Sequence, residues 1–178
     1  MTSSRVAKRY ARALLELAAE QNQLEPWGAE LARLAAIVSA PEVLTRLTSP
    51  EISQLSRIEA MSAIAERLNL SFPVRSFAVV LARHRRIAQI AAASDSYQDL
   101  LDERLGRARA ILIFATAPAD AEKDRVVAAL EALSGKRILP TIRIESNLLG
   151  GVIAELEGKT YDASLATRLQ AAERHLSE

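Results

Sequence analysis

The chain has 178 residues, of which 49% are apolar and only 4% aromatic, and its formal net charge is +1. It contains no cysteine, which excludes disulfide bonds and thiolate metal sites. The near-neutral charge argues against a nucleic-acid-binding domain, which is usually clearly basic, and no apolar run approaches the ~20 residues that span a bilayer.

The first predicted helix covers about residues 4–21. Its apolar residues share one stripe at helical spacing: Val6, Tyr10, Ala13, Leu14 and Leu17. Basic residues lie on the opposite side, and Glu16 and Glu20 continue the same helix, so we expect this start to belong to the mature fold and not to a targeting peptide. The stripe either packs within its own helical bundle or accepts an amphipathic helix of a partner, and its residues leave both possibilities open.

Prolines and serines mark the starts of further helices. Pro26 indicates a second helix, and Ser39–Pro41 a short third one that ends near Thr48. The residues Ser49–Glu51 are typical of a cap, a proline and a first-turn acid, and they predict the start of a fourth helix. A fifth helix carries Phe77, Val80 and Leu81, and a sixth runs over about residues 87–105. Six helices with short connections predict a compact bundle.

After Gly106 the pattern changes from helical spacing to strands. A β-branched and aromatic run at 110–116 predicts a buried strand. Residues 120–133 predict a helix that ends at Gly135, and the alternation at 141–145 and after Gly151 predicts further strands. The fold class is therefore α+β: an N-terminal six-helix bundle over residues 1–105, followed by a small α/β domain over residues 106–178.

The C-terminal pattern also contains a set of backbone signals: Gly150, Gly151, Gly158, Asp162 and Ser164. The glycine pair predicts a bulge or a close backbone approach where a strand begins. A hairpin turn is expected at Glu157-Gly158, because glycine adopts positive φ easily. Asp162 and Ser164 are candidate caps for a terminal helix.

No motif predicts catalysis, a cofactor or a metal. Gly158-Lys159-Thr160 resembles the end of a phosphate-binding loop, but Ile153 stands where that loop needs a glycine. His84 and His175 have no partner at the spacing of metal ligands. Arg83–Arg86 is a dense basic cluster that could contact phosphates, although it lacks interleaved aromatic residues.

The order and spacing of the C-terminal signals resemble the signature of the δ subunit of F-type ATP synthases, relatives of the mitochondrial oligomycin-sensitivity-conferring protein. The most specific part is Asn147–Gly151, followed by the Gly158 turn, Tyr161–Leu165 and Arg168-Leu169. Ala163 departs from the family pattern, which often has glycine there.

The N-terminal half shows the same resemblance. Val6–Leu14 contains the Tyr-Ala-x-Ala pattern of the family's first helix, and Pro50–Ser53 is similar to its Pro-x-hydrophobic-Ser element. Leu81–Ile87 lies where the family has Leu-x-Glu-Asn-x-Arg-hydrophobic, with Arg83 and His84 replacing the Glu-Asn pair.

The resemblance implies a peripheral-stalk (stator) subunit that has no catalytic residues and no cofactor. By this resemblance residues 1–105 bind N-terminal segments of the α subunits of the catalytic head, in a groove between the first and fifth helices. The candidate groove residues are Tyr10, Ala13, Leu17, Val80 and Arg83. Residues 106–178 would bind the b subunits of the stalk.

The same family implies a monomer, one copy per complex, at the cytoplasmic face of the bacterial inner membrane, where it associates with the membrane only through the complex. It would not bind nucleic acid. The alternative function is a nucleic-acid-binding adaptor that uses Arg83–Arg86.

Overall fold

A computed structural model describes residues 5–164. The chain divides into two compact units, Met1–Leu101 and Asp102–Glu178. Among the described residues, seven α-helices and one four-stranded sheet confirm the mixed α and β class. No helix in this range is both long and apolar enough to cross a membrane.

Six helices precede the first strand, with a 3-10 turn at Ile87–Gln89 before the last of them. They are α1 (Arg5–Glu20), α2 (Leu24–Val38), α3 (Pro41–Thr48), α4 (Gln54–Arg67), α5 (Phe72–Arg83) and α6 (Ile90–Arg104). The remaining elements are β1 (Arg107–Phe114), α7 (Asp120–Ser134), β2 (Arg137–Ile144), β3 (Val152–Leu156) and β4 (Lys159–Asp162).

The start of α4 differs from the prediction. The helix begins at Gln54 and not at Ser49–Glu51. Ser53 caps it, because its extended backbone lets the side-chain Oγ accept a hydrogen bond from the Ser56 N–H at 3.0 Å. Ser49–Glu51 form a local turn in which the Glu51 N–H donates to Ser49 Oγ at 3.3 Å. A serine-proline-acid sequence can therefore build a turn as well as a helix start.

Small residues bring the helices of the N-terminal unit close together. Seven fully buried alanines lie in its core: Ala7, Ala11, Ala18, Ala65, Ala78, Ala82 and Ala93. At Gly28 of α2, an added Cβ would lie 2.9 Å from Tyr97 Cε1, so α2 approaches α6 at a distance that only glycine allows. The Tyr97 hydroxyl donates to the Leu24 carbonyl at 2.8 Å, and burial raises the pKa of Tyr97 to about 12.

A buried arginine holds the connection between α3 and α4. Arg57 is only 3% exposed, and its Nε donates to the Leu47 carbonyl at 2.7 Å. Its Nη2 donates to the carbonyls of Ser49 at 2.9 Å and Ile52 at 3.2 Å. These bonds satisfy carbonyls at the end of α3 and in the loop, which have no helical partners of their own.

The sheet of the C-terminal unit has the strand order β2-β1-β3-β4. β1 pairs with β2 in parallel and with β3 in antiparallel orientation, and β3 pairs with β4 in antiparallel orientation. α7 is the connection that a parallel β1–β2 pair requires. Its Leu130 packs with alternate residues of the strands, including Leu112, Ile138 and Leu156.

Residues with positive φ lie at the end of α7 and in the turn between β3 and β4. Gly135, at φ 66°, ends α7 in the left-handed conformation, as predicted. Glu157 and Gly158, at φ 51° and 79°, form the expected hairpin turn between β3 and β4. Two successive positive φ angles suit the right-handed twist of the strands.

The glycine pair and the predicted cap residues flank the last two strands. Gly150 and Gly151 have φ 138° and 83° just before β3, so the backbone there needs glycine. After β4, Asp162 Oδ1 accepts a hydrogen bond from the Ser164 N–H at 2.8 Å. The terminal helix for which these residues are predicted caps lies outside the described residues.

Candidate functional site

An apolar groove of about 500 Å³ lies in the N-terminal unit, between α1 and α5. α1 contributes Tyr10, Ala13, Leu14, Leu17 and Gln21, α5 contributes Phe72, Pro73, Ser76, Phe77 and Val80, and α2 adds Trp27. Most of these side chains are apolar, so the groove suits an apolar surface and offers few groups for bond chemistry.

The structure brings together four of the five residues predicted for this surface. Tyr10, Ala13, Leu17 and Val80 all line the groove. Arg83 is exposed and lies one helical turn beyond Val80, so it lies on α5 beyond the groove lining. Whether these residues bind a partner stays a prediction.

Several large apolar side chains of the groove are exposed to solvent. Leu17 is 49% exposed, Val80 38% and Phe72 80%, although all three are large apolar residues. Beneath them, the rings of Tyr10 and Phe77 meet edge to face with centroids 6.2 Å apart. Large exposed apolar side chains that line one groove are typical of an interaction surface.

The sequence interpretation missed several groove residues, chiefly Phe72 and Trp27. The sequence predicted the fifth helix only through Phe77, Val80 and Leu81, whereas α5 begins at Phe72. The available signal was its position at helical spacing from Ser76 and Val80, which places a large apolar residue on the same stripe. Trp27 is buried at the groove.

A carboxylate from α2 holds the start of α5 in place. Glu30 Oε2 accepts hydrogen bonds from the Ser71 N–H at 2.8 Å and from the Ser71 hydroxyl at 2.6 Å. Ser71 itself makes no side-chain cap for α5. Glu30 therefore supplies both the hydrogen-bond acceptor and the negative charge that a helix N-terminus favours.

Two contacts fix the direction in which α5 crosses α1. α1 and α2 are joined by residues 21–23 and pack together as an antiparallel pair. Glu30, the partner of Ser71, lies about 9 Å along α2 from this connection. Tyr10, the partner of Phe77, lies farther from it, about 15 Å along α1. α5 therefore runs away from the connection, and its C-terminal end lies towards the start of α1.

A second apolar groove, of about 570 Å³, lies within the C-terminal unit between α7 and the strands β3 and β4. Its lining includes Val126, Leu133, Gly151, Val152 and Tyr161. Leu133 is 63% exposed. Gly151, which the sequence singled out for its backbone, thus also contributes to this surface.

The described residues contain no cluster of metal ligands. Between residues 5 and 164, no three His, Cys, Asp or Glu side chains are grouped so that they could hold a metal ion. Arg83, His84 and Arg85 are all exposed, and His175 lies outside the described range.

Comparisons with known proteins cover nearly the whole chain. The model of the family "ATP synthase delta (OSCP) subunit" matches residues 6–176. The chain is 32% identical over 170 residues to the ATP synthase subunit delta of Geobacter metallireducens, covering 95% of this chain and 94% of that one. It is 33% identical over 180 residues to the corresponding protein of Anaeromyxobacter dehalogenans, covering 100% of both.

The fold is similar to that of a chain in the cryo-EM structure of the Toxoplasma gondii mitochondrial ATP synthase hexamer. The TM-score is 0.67 at 20% sequence identity, over 98% of this chain and 99% of that chain. At this identity the likeness shows a shared fold.

Proposed function

The chain belongs to the ATP synthase delta (OSCP) subunit family, as the sequence resemblance predicted, and we propose that it joins the catalytic head of the synthase to its stalk. The chain is thus a subunit of the ATP synthase complex. In the proposed role, a six-helix bundle at residues 1–105 binds the α3β3 head, and residues 106–178 bind the b-subunit stalk.

The observation that supports head binding most strongly is the groove between α1 and α5. Leu17, Phe72 and Val80 are exposed along one apolar channel, which matches the recognition of an amphipathic helix by a groove. We propose that the N-terminal segment of an α subunit occupies it. Burial of these side chains, at about 25 cal/mol per Å² of apolar area, would supply the driving force.

The groove between α7, β3 and β4 is our candidate for the end of a b subunit. Its lining combines Val126, Leu133 and Val152 with the Tyr161 ring, which suits a second apolar helix. Binding at both units would let the protein resist rotation of the head during proton-driven ATP synthesis. This role depends on binding strength and stiffness and involves no catalytic step by the chain itself.

The proposed assembly contains one copy of the protein, which is a monomer apart from the complex. It would lie at the cytoplasmic face of the bacterial inner membrane and associate with that membrane only through the other subunits. Family membership supports these proposals, because the bacterial relatives are named ATP synthase subunit delta.

The head-binding proposal is tested by titrating the full chain with a synthetic peptide of the α-subunit N-terminus. We expect one-to-one binding, and we expect Val80→Asp to weaken it at least tenfold, since an apolar helix in the groove would strip water from the new carboxylate. The matched control is Ile37→Asp, because Ile37 is also an exposed aliphatic residue, 41% against 38%, but lies outside the groove. Equal affinity of both variants would show that the groove is not the binding surface.

The alternative, a nucleic-acid adaptor that uses Arg83–Arg86, is distinguished by salt. Binding through phosphates weakens steeply as salt rises, whereas burial of an apolar helix does not. A single-stranded oligonucleotide that bound the chain tightly at low salt, together with no binding of the α-subunit peptide, would favour the adaptor.

A further inference from the structure

Basic residues gather at one end of the α1–α5 groove. The first half of α1 contains Arg5, Lys8, Arg9 and Arg12 and no acidic residue. Because α5 runs towards the start of α1, Arg83 lies at this same end. Arg9 and Arg83 are exposed. Within residues 5–164, neither forms an ion pair with a carboxylate.

The other end of the groove has the opposite character. Glu16 and Glu20 follow Arg9 at helical spacing along the exposed side of α1, so this side changes from basic to acidic along its length. On α5, Phe72 lies on the stripe that ends at Arg83, and the helix contains no acidic residue. The apolar channel is therefore flanked by positive charge near Tyr10 and by negative charge near Gln21.

We propose that this charge gradient selects the direction in which a helix lies in the groove. The bound helix carries acidic residues at the end beside Tyr10 and Val80, and basic or neutral residues at the end beside Gln21. This inference rests on the proposed function, with the N-terminal helix of the α subunit as the occupant. Apolar burial holds the helix, whereas complementary charges fix its direction and exclude the reversed one.

The test uses two synthetic 20-residue amphipathic peptides with the same leucine face. One carries three glutamates and a cysteine at its N-terminal end and three lysines at the other end, and in the second the glutamates and lysines are exchanged. Because the chain contains no cysteine, Val80→Cys and Gln21→Cys each introduce a single thiol, one at each end of the groove. Disulfide formation then reports which end of the peptide lies at which end of the groove.

We expect the glutamate-flanked cysteine to link to Val80→Cys and the lysine-flanked cysteine to link to Gln21→Cys. Adding Arg9→Glu and Arg83→Glu should remove or reverse this preference and weaken the glutamate peptide about fivefold at low salt, with the difference largely screened at high salt. The matched control, Arg33→Glu with Arg67→Glu, changes two exposed arginines outside the groove lining and should leave the preference unchanged.

The possible failures separate the two proposals. Binding of both peptides with no preference for either thiol would overturn the charge selection and leave the groove as a binding site. The absence of any binding by the folded wild-type chain would overturn the groove assignment itself, and the charge selection with it.

Discussion

Replacing Gly28 with alanine should destabilise the N-terminal unit, although the same change stabilises most helices. Alanine is favoured over glycine inside a helix by about 1 kcal/mol. Here the new Cβ would lie 2.9 Å from Tyr97 Cε1 and 3.0 Å from Gln98 Nε2. The amide of Gln98 ends a flexible side chain, but the Tyr97 ring is fully buried and held by its hydrogen bond to Leu24.

The expected change in the free energy of unfolding is the sum of three contributions. Overpacking a core costs about 1–3 kcal/mol, and weakening the Tyr97 hydrogen bond costs about 1 kcal/mol more. After the helix gain is subtracted, the free energy of unfolding should fall by about 1–3 kcal/mol. Urea unfolding followed by tryptophan fluorescence measures it, because Trp27 is the only tryptophan and lies in this unit.

A second variant tests whether the loss of stability comes from the contact between residue 28 and Tyr97. In a Tyr97→Leu background the ring is gone, so Gly28→Ala should then be neutral or stabilising. If Gly28→Ala stabilised the wild-type chain, α2 and α6 would not approach each other as the structure shows, and the reasoning would be refuted.

Four further variants test three single features. Tyr97→Phe should lower the free energy of unfolding by about 1 kcal/mol near neutral pH. Burial raises the pKa of Tyr97 to about 12, against about 10 when unfolded, so wild-type stability should decline above about pH 10. Urea titrations should show that the variant lacks this part of the decline. Glu30→Gln removes the charge that caps α5 at Ser71 and should cost about 1 kcal/mol, with tryptophan fluorescence as the readout; an unchanged midpoint would contradict the capping role. Gly158→Ala forces a side chain into φ 79° and should cost about 1–2 kcal/mol, measured by thermal unfolding, whereas Glu157→Asn in the same turn should be neutral or stabilising.

Local chemistry determined which element boundaries could be predicted. Pro41 fixes the start of α3 because proline fits the first helical turn, and Gly135 ends α7 because glycine adopts positive φ. The start of α4 was wrong because two serines are candidate caps, and the side chain of Ser53 accepts a hydrogen bond from the first turn of α4, whereas that of Ser49 accepts one from the turn at Glu51. β2 begins at Arg137, earlier than predicted, since Pro140 hides the strand pattern and is tolerated at a sheet edge.

Contacts between residues far apart in the chain could not be predicted from the sequence pattern. The stripe of α1 predicted an apolar surface, but the groove with the fifth helix was implied only by the family resemblance, because periodicity does not indicate which helix lies beside α1. Nothing in the sequence distinguishes Glu30 from other charged surface residues, and its hydrogen bond with Ser71 joins residues 41 positions apart. Likewise, alternation predicted the strands of the C-terminal unit, whereas the parallel pairing of β1 with β2 depends on how α7 crosses the sheet.

The alanine-lined contacts of the N-terminal unit bear on how it would respond to mechanical load. Ala11, Ala18 and Ala78 are fully buried in the core, and their short side chains have no rotamers that could change under strain. Tightly packed interiors of this kind have low compressibility and transmit displacement with little loss. Under a cyclic load such a unit would act as a stiff element with little hysteresis.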